Sequence, residues 1–233
     1  MEKRKYYLFL AGMLAIVGWG PFNYFPTVIP PIKLNSWALN KIKIINSQAH
    51  NIDPMVLKLS LAAYLKARQQ GLDNKHLLTI IDYSKPSTVR RLWVVDMAKG
   101  KVLFNTWVTH GKNSGSLIPT SFSNEPGSLK SSIGVFLTTS QSYFGENGYS
   151  LRVVGLEQGI NDNAYRRDIV FHGAWYANPK VIKKYGTLGR SWGCPAVSEE
   201  TVRPLINTIK DDTLVFIYYP DRKWLASSTF LIG

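Results

Sequence analysis

A chain of 233 residues, 45% hydrophobic and 18% charged, can bury a sizeable core and is too apolar to remain disordered. Its formal net charge of +13 favours an anionic partner, but the basic residues are scattered and carry no recognition motif, which argues against nucleic acid. A single cysteine, Cys194, excludes an internal disulfide framework and Cys-x-x-Cys redox chemistry.

Lys3, Arg4 and Lys5 precede an apolar run from Tyr6 to Trp19, closed by Gly20-Pro21. The run has the length of an export-signal core, is short for a membrane span, and is followed by no clear Ala-x-Ala site. Residues 1–20 therefore read as a signal peptide or a retained N-terminal anchor, with residues 6–19 as the inner-membrane segment in the second case. Either reading exports the remainder to the periplasm or cell envelope. Pro26, Pro30 and Pro31 mark residues 21–49 as a linker. Residues 50–76 read as a helical segment: Asp53 can cap, Pro54 suits the first turn, and Met55, Leu59, Ala62 and Leu65 recur at helical spacing before Gly71.

From Leu77 the pattern changes to strands. Arg91–Asp96 and Lys101–Thr109 flank a turn at residues 97–100, and further strands are expected at Gly134–Thr139, Ser150–Leu156, Asp168–His172 and Thr213–Tyr219. A helix is expected after Ser198, with Glu199 and Glu200 in its first turn. The fold class is mainly β, a largely antiparallel sheet in a sandwich or open barrel with peripheral helices. Residues 77–220 form its main domain and residues 221–233 a tail.

Two segments can carry chemistry. Ile169-Val170-Phe171-His172-Gly173 places a histidine at the end of an apolar strand, and Gly189-Arg190-Ser191-Trp192-Gly193-Cys194-Pro195 follows with the only thiol. An imidazole beside a thiol can take its proton and leave a nucleophile, provided its other nitrogen is held. No aspartate is placed for that, so the Gly173 carbonyl is the candidate. Backbone N–H groups around Gly193 and Cys194 are candidate oxyanion donors. The four histidines, His50, His76, His110 and His172, lack ligand spacing, so neither a metal nor another cofactor is expected.

These residues resemble the L,D-transpeptidase catalytic domain, and within it the murein subgroup in which Trp-Gly-Cys-Pro stands for the commoner His-Gly-Cys. The resemblance is carried by His172-Gly173 and Gly189–Ala196, together with Ile80–Ser87, Thr109–Gly115, Ser121–Ser128, Gly148–Leu151, Gly155–Ala164 and Arg166-Arg167. It implies a β-sandwich-like fold and a cysteine that attacks a peptidoglycan stem peptide after its third residue, a diamino acid, with loss of the terminal D-alanine. The acyl group then passes to an amine on another stem or to an attached protein. Water as acceptor would make a carboxypeptidase, and a non-catalytic wall-binding module is the remaining alternative. The resemblance also implies that carbapenems acylate such a cysteine. Carried over, Cys194 is the nucleophile, His172 the base, Gly173 its orienting carbonyl and Gly193 part of the oxyanion hole. Trp192 departs from the usual second histidine, so His110 or Trp192 itself is expected on that side of the site. Arg190 is expected to meet a stem carboxylate or to tie its loop to Glu157. Ser191 and Tyr143 complete the expected substrate contacts, Tyr149 is a further candidate for the cleft wall, and residues around Tyr185-Gly186 are expected to form a flap.

Overall fold

The computed structural model describes residues 32–49 and 51–232. The expected signal or anchor over residues 1–20, its segment 6–19, residues 21–31 of the expected linker and His50 lie outside the described residues. Among the described residues no helix is long and apolar enough to cross a membrane.

In chain order the elements are α1 (Ser36–Asn46), α2 (Pro54–Gln69), β1 (Leu77–Asp82), β2 (Leu92–Asp96), β3 (Lys101–Thr106), β4 (Gly134–Gly145), β5 (Gly148–Gly155), β6 (Val170–Gly173), α3 (Pro179–Tyr185), β7 (Ala196–Val197), α4 (Glu199–Ile209), β8 (Leu214–Tyr218) and α5 (Arg222–Ser227). The strands form one sheet in the order β3-β2-β1-β8-β4-β5-β6-β7, a nearly closed, barrel-like layer flanked by a few helices. The β1–β8 and β6–β7 pairs are parallel and the others antiparallel. The mainly β fold with peripheral helices is thus the one observed.

The central strands explain themselves. Every residue of β1 and β8 is buried, and both are near-continuous apolar runs, as a strand covered on two faces must be. Helix α2 packs on both and begins where its sequence says it should. Asp53 Oδ1 accepts from the Met55 and Val56 amides at 2.7 and 3.3 Å, a cap worth about 1 kcal/mol. Gly71 follows its end at φ +73°, a conformation glycine adopts without strain.

Two terminal segments differ from expectation. Residues 36–46, read as linker, form α1. Asn35 Oδ1 caps it at Ala38 N, 2.9 Å, and Ala38 and Ile45 are fully buried. Residues 222–227, read as tail, form α5, capped by Asp221 Oδ1 on Trp224 N at 2.8 Å, with Trp224 and Leu225 fully buried. Helix α5 is only six residues long, too short to show a period, and in α1 the apolar residues Trp37, Ala38, Leu39, Ile42, Ile44 and Ile45 do not keep to one face, so neither gives a clear periodicity to read. Ser198 does precede α4, but its hydroxyl pairs with Thr201 Oγ1 at 2.9 Å and makes no side-chain cap bond.

One feature of the sheet decides where the chemistry can sit. An added Cβ on Gly173 would lie 2.9 Å from Val202 Cγ1 of α4, so Gly173 faces that helix and its neighbour His172 faces the other way. The register pairs Ser150 with His172 and Arg152 with Val170 across β5–β6, and Tyr143 with Ser150 across β4–β5. Directly opposed residues share a face. Tyr143, Ser150, Arg152 and His172 therefore stand together on the face that α4 leaves uncovered.

Candidate active site

Cys194 occupies the loop between Ser191 and β7, and that loop is pinned at many points. Ser191 N donates to His110 O at 3.0 Å and Lys112 N to Ser191 O at 2.8 Å. Ser191 Oγ donates to Cys194 O at 2.6 Å and accepts from Gly193 N at 3.2 Å. Ser131 Oγ donates to Gly193 O at 3.2 Å. Beyond the cysteine, Thr109 N donates to Ala196 O at 2.9 Å and Thr109 Oγ1 accepts from Ala196 N at 3.2 Å. Gly193 sits at φ +130°, and a Cβ there would lie 2.8 Å from Lys130 O; both the torsion and the space demand glycine.

Strand β7 brings the cysteine loop to β6, because His172 pairs with Ala196, two residues after Cys194. The half-buried thiol donates to the Asp168 carbonyl at 3.5 Å, just ahead of β6. His172 is buried, and its Nδ1 lies 3.0 Å from Gly173 O. A carbonyl only accepts, so Nδ1 carries the proton and Nε2 presents a lone pair. Burial lowers the imidazole below its ordinary range, with the Gly173 carbonyl opposing. Burial likewise raises the thiol, while the Val170 N–H and then the Arg167 charge lower it. At neutral pH the resting pair is therefore a neutral imidazole and a protonated thiol.

The expected substrate contacts divide. Trp192 is 73% exposed, with the Lys112 ammonium 5.7 Å from its ring centroid, so it stands free beside the cysteine. Tyr143 is half-buried on the open face of the sheet, under the Arg152 guanidinium at 4.3 Å. Tyr149 points the other way: its hydroxyl donates to Asn207 Oδ1 of α4 at 2.6 Å. Ser191 is buried and spends its hydroxyl inside the cysteine loop, which makes it a loop-holder rather than a surface that meets ligand. Arg190 Nη1 reaches Gly115 O at 3.3 Å and not Glu157, which is buried against Val135, Trp224 and Ser228. The stretch expected as a flap contains α3, whose end is set by Gly186 at φ +75°.

His110 is the clearest departure. It is fully buried, with Nδ1 2.8 Å from Arg91 Nη2 and Nε2 3.3 Å from Gly115 O. Since arginine only donates, Nδ1 accepts and Nε2–H is the donor. Burial, then the Arg91 charge, pushes the imidazole down to about 4. His110 is thus a neutral spacer behind the cysteine loop and does not face the open side. Gly193 also departs in part. Its N–H is engaged by Ser191 Oγ, so an oxyanion role for that amide would require giving up this bond, and the Cys194 N–H is the better-placed candidate.

Sequence reading missed Arg91, Ser131, Arg152 and Asp168. Arg91 is buried with carbonyl partners, Val108 O at 3.1 and 2.9 Å and Lys85 O at 2.7 Å. Asp168 is left-handed at φ +50°, which aims its carbonyl at the thiol. No local pattern announces these roles; they arise from tertiary pairing. Among the described residues no group of three or more His, Cys, Asp or Glu side chains is placed to hold a metal ion.

A model of the L,D-transpeptidase catalytic domain matches residues 48–218. None of the curated proteins matches the chain. Similar solved structures include an L,D-transpeptidase from Mycobacterium smegmatis, 13% identical over 62% of this chain and 59% of that one, with TM-score 0.37. L,D-transpeptidase 1 of Mycobacterium tuberculosis is 14% identical over 62% of each chain, with TM-score 0.35. An L,D-transpeptidase from Stackebrandtia nassauensis is 11% identical over 83% of this chain and 96% of that one, with TM-score 0.36. The chain spans about three fifths of the length of the two mycobacterial proteins.

Proposed function

The chain belongs to the L,D-transpeptidase catalytic-domain family, and on that premise we propose that it carries out cysteine-dependent acyl transfer on peptidoglycan stem peptides in the cell envelope. The observation that carries this reading is the His172 Nδ1–Gly173 O contact of 3.0 Å, which leaves Nε2 as a base on the same strand that receives the cysteine loop.

The steps follow from the resting state. The thiol turns from the Asp168 carbonyl to His172 Nε2 and gives up its proton as Sγ bonds the carbonyl carbon of the third stem residue. The oxyanion so formed is met by the Cys194 N–H. The imidazolium, its charge spread toward the Gly173 carbonyl, then protonates the leaving nitrogen of the terminal D-alanine, and a thioester remains on Cys194. An acceptor amine attacks the thioester, His172 takes the amine proton, and the sulfur leaves to be protonated again. Trp192 gives the peptide a flat apolar wall beside the nucleophile.

Mass analysis of a stem tetrapeptide incubated with the full chain, with and without an added D-amino acid as amine, tests this. Exchange of the terminal D-alanine for the added amine is the expected result. Tripeptide alone would make the protein a carboxypeptidase, and an unchanged peptide that still binds would make it a wall-binding module.

A further inference from the structure

Three segments, residues 83–91, 107–120 and 174–192, hold eight lysines and arginines and no aspartate or glutamate. The fold ties them into one continuous surface. Ser87 N donates to Leu117 O and Gly189 N to Tyr176 O, each at 2.9 Å. Ser87 Oγ lies 2.8 Å from Thr187 Oγ1, and Arg190 Nη1 donates to Gly115 O. That surface is on the His110 side of the cysteine loop, because His110 Nε2 meets the same Gly115 carbonyl. Of the eight cations, Arg91 is buried and Lys85 lies 3.9 Å from Asp82. The other six, Arg90, Lys112, Lys180, Lys183, Lys184 and Arg190, are exposed, and none takes part in the ion pairs among the described residues.

Apolar side chains project from the same surface. Leu117 and Ile118 stand side by side at a loop tip, each 41% exposed. The loop is closed by the Gly115–Pro119 bridge and by Thr120 N and Ser121 N, which donate to Ser114 O at 2.8 and 3.0 Å. The fixed backbone therefore keeps both aliphatic groups in solvent. Trp175 and Tyr185, 66% and 60% exposed, flank α3, where Lys180, Lys183 and Lys184 stand at i, i+3 and i+4 and so share one side. Unpaired cations around exposed rings and a protruding aliphatic pair fit a charged lipid interface. Cations meet phosphates, rings lie at headgroup level, and aliphatic groups enter the acyl boundary. An anionic wall polymer would satisfy the cations but give Leu117 and Ile118 no apolar medium.

We propose that this surface docks the domain on a membrane bearing anionic phospholipids, with Leu117 and Ile118 inserted and the six cations on the headgroups. Docking uses neither Cys194 nor His172 and so stands apart from the acyl-transfer reading. It would hold the cysteine loop at the membrane through Ser191, whose N and O are bonded to His110 O and Lys112 N.

A polarity-sensitive fluorophore attached at Ile118→Cys in full-length Cys194→Ala protein tests this. The probes are vesicles of phosphatidylcholine alone and of phosphatidylcholine mixed with phosphatidylglycerol. The same label at Lys99→Cys, at the opposite end of β2 from Arg90, is the control, and comparing the two labels removes any lipid contact made by residues 1–20. Emission from position 118 is expected to shift to the blue in the mixed vesicles only and to return when salt is raised, while position 99 stays unshifted. Each neutralised cation should weaken docking about fivefold, so Arg90→Gln, Lys183→Gln and Lys184→Gln together should abolish the shift. Melting curves show whether the variants fold, and Arg90→Gln alone gives the graded loss if the triple variant does not. No shift at position 118 in the mixed vesicles, an equal shift at both labels, or a shift undiminished in the folded variants would overturn the proposal. So would capture by purified cell wall with position 118 unshifted by lipid, which would assign the surface to an anionic polymer.

Discussion

The proposed reaction begins from a protonated thiol and a neutral imidazole, so it needs a group that favours the thiolate. Arg167 is the charge placed to do so. Its guanidinium donates to Ser123 O, to Ser132 Oγ at 2.6 Å, to Ser128 Oγ at 3.1 Å and to Lys130 O at 2.7 Å, all neutral oxygens. Lys130 O in turn packs on Gly193, next to Cys194. The same residue therefore shapes the wall behind the cysteine and lowers the thiol against the upward push of burial. A nearby cation favours the charged form of a thiol, so its removal raises the pKa. Arg167→Gln should shift the pH dependence of Cys194 alkylation by iodoacetamide to higher pH and slow it at any fixed pH below the plateau, with Arg167→Lys between the two. An unshifted curve in folded protein would confine Arg167 to holding the 121–132 segment.

At the level of elements, helices fix which face of the sheet stays open. Helix α4 covers one side of β5 and β6, and the contact is close enough to require Gly173. Helix α5 closes the far end through Glu157, which accepts from Val135 N at 2.7 Å and from Trp224 Nε1 at 3.1 and 3.0 Å, and also from Ser228 Oγ. Burial raises this carboxyl, and the three donors hold it down. Removing the acceptor would orphan three buried donors at once. Glu157→Ala is therefore expected to cost about 3 kcal/mol in urea unfolding, and deletion of residues 221–233 should destabilise the chain comparably. Stability unchanged in both would mean that α5 is an ornament of the fold and does not anchor it.

For the molecule as a whole, legibility in the sequence followed the range of the interactions. The strands, the Asp53-Pro54 helix start and the pairing of His172 with its own neighbour's carbonyl are local, and each can be read from a few adjacent residues. The mainly β class follows from the apolar runs that became β1 and β8. What could not be read depends on registers between distant strands. Tyr143, Arg152 and His172 share a face only because β4, β5 and β6 align as they do, with a register shift between Thr138 and Ser142. His110 looks as available as His172 in a bare sequence; a buried arginine 19 residues upstream takes one of its nitrogens. Helix α5 escaped because a six-residue segment is too short to show a period, and α1 because its six apolar residues are spread round the helix in a stretch whose upstream prolines read as a linker.

In the proposed reaction Cys194, with His172 as base, is the nucleophile that becomes acylated. Intact-protein mass spectrometry after exposure to a carbapenem, beside Cys194→Ala and His172→Ala, tests it most directly. One drug adduct is expected on the wild-type chain, none on Cys194→Ala and slowed formation on His172→Ala, with all three proteins folded. A folded wild-type protein that forms no adduct, or an adduct that persists on Cys194→Ala, would contradict it.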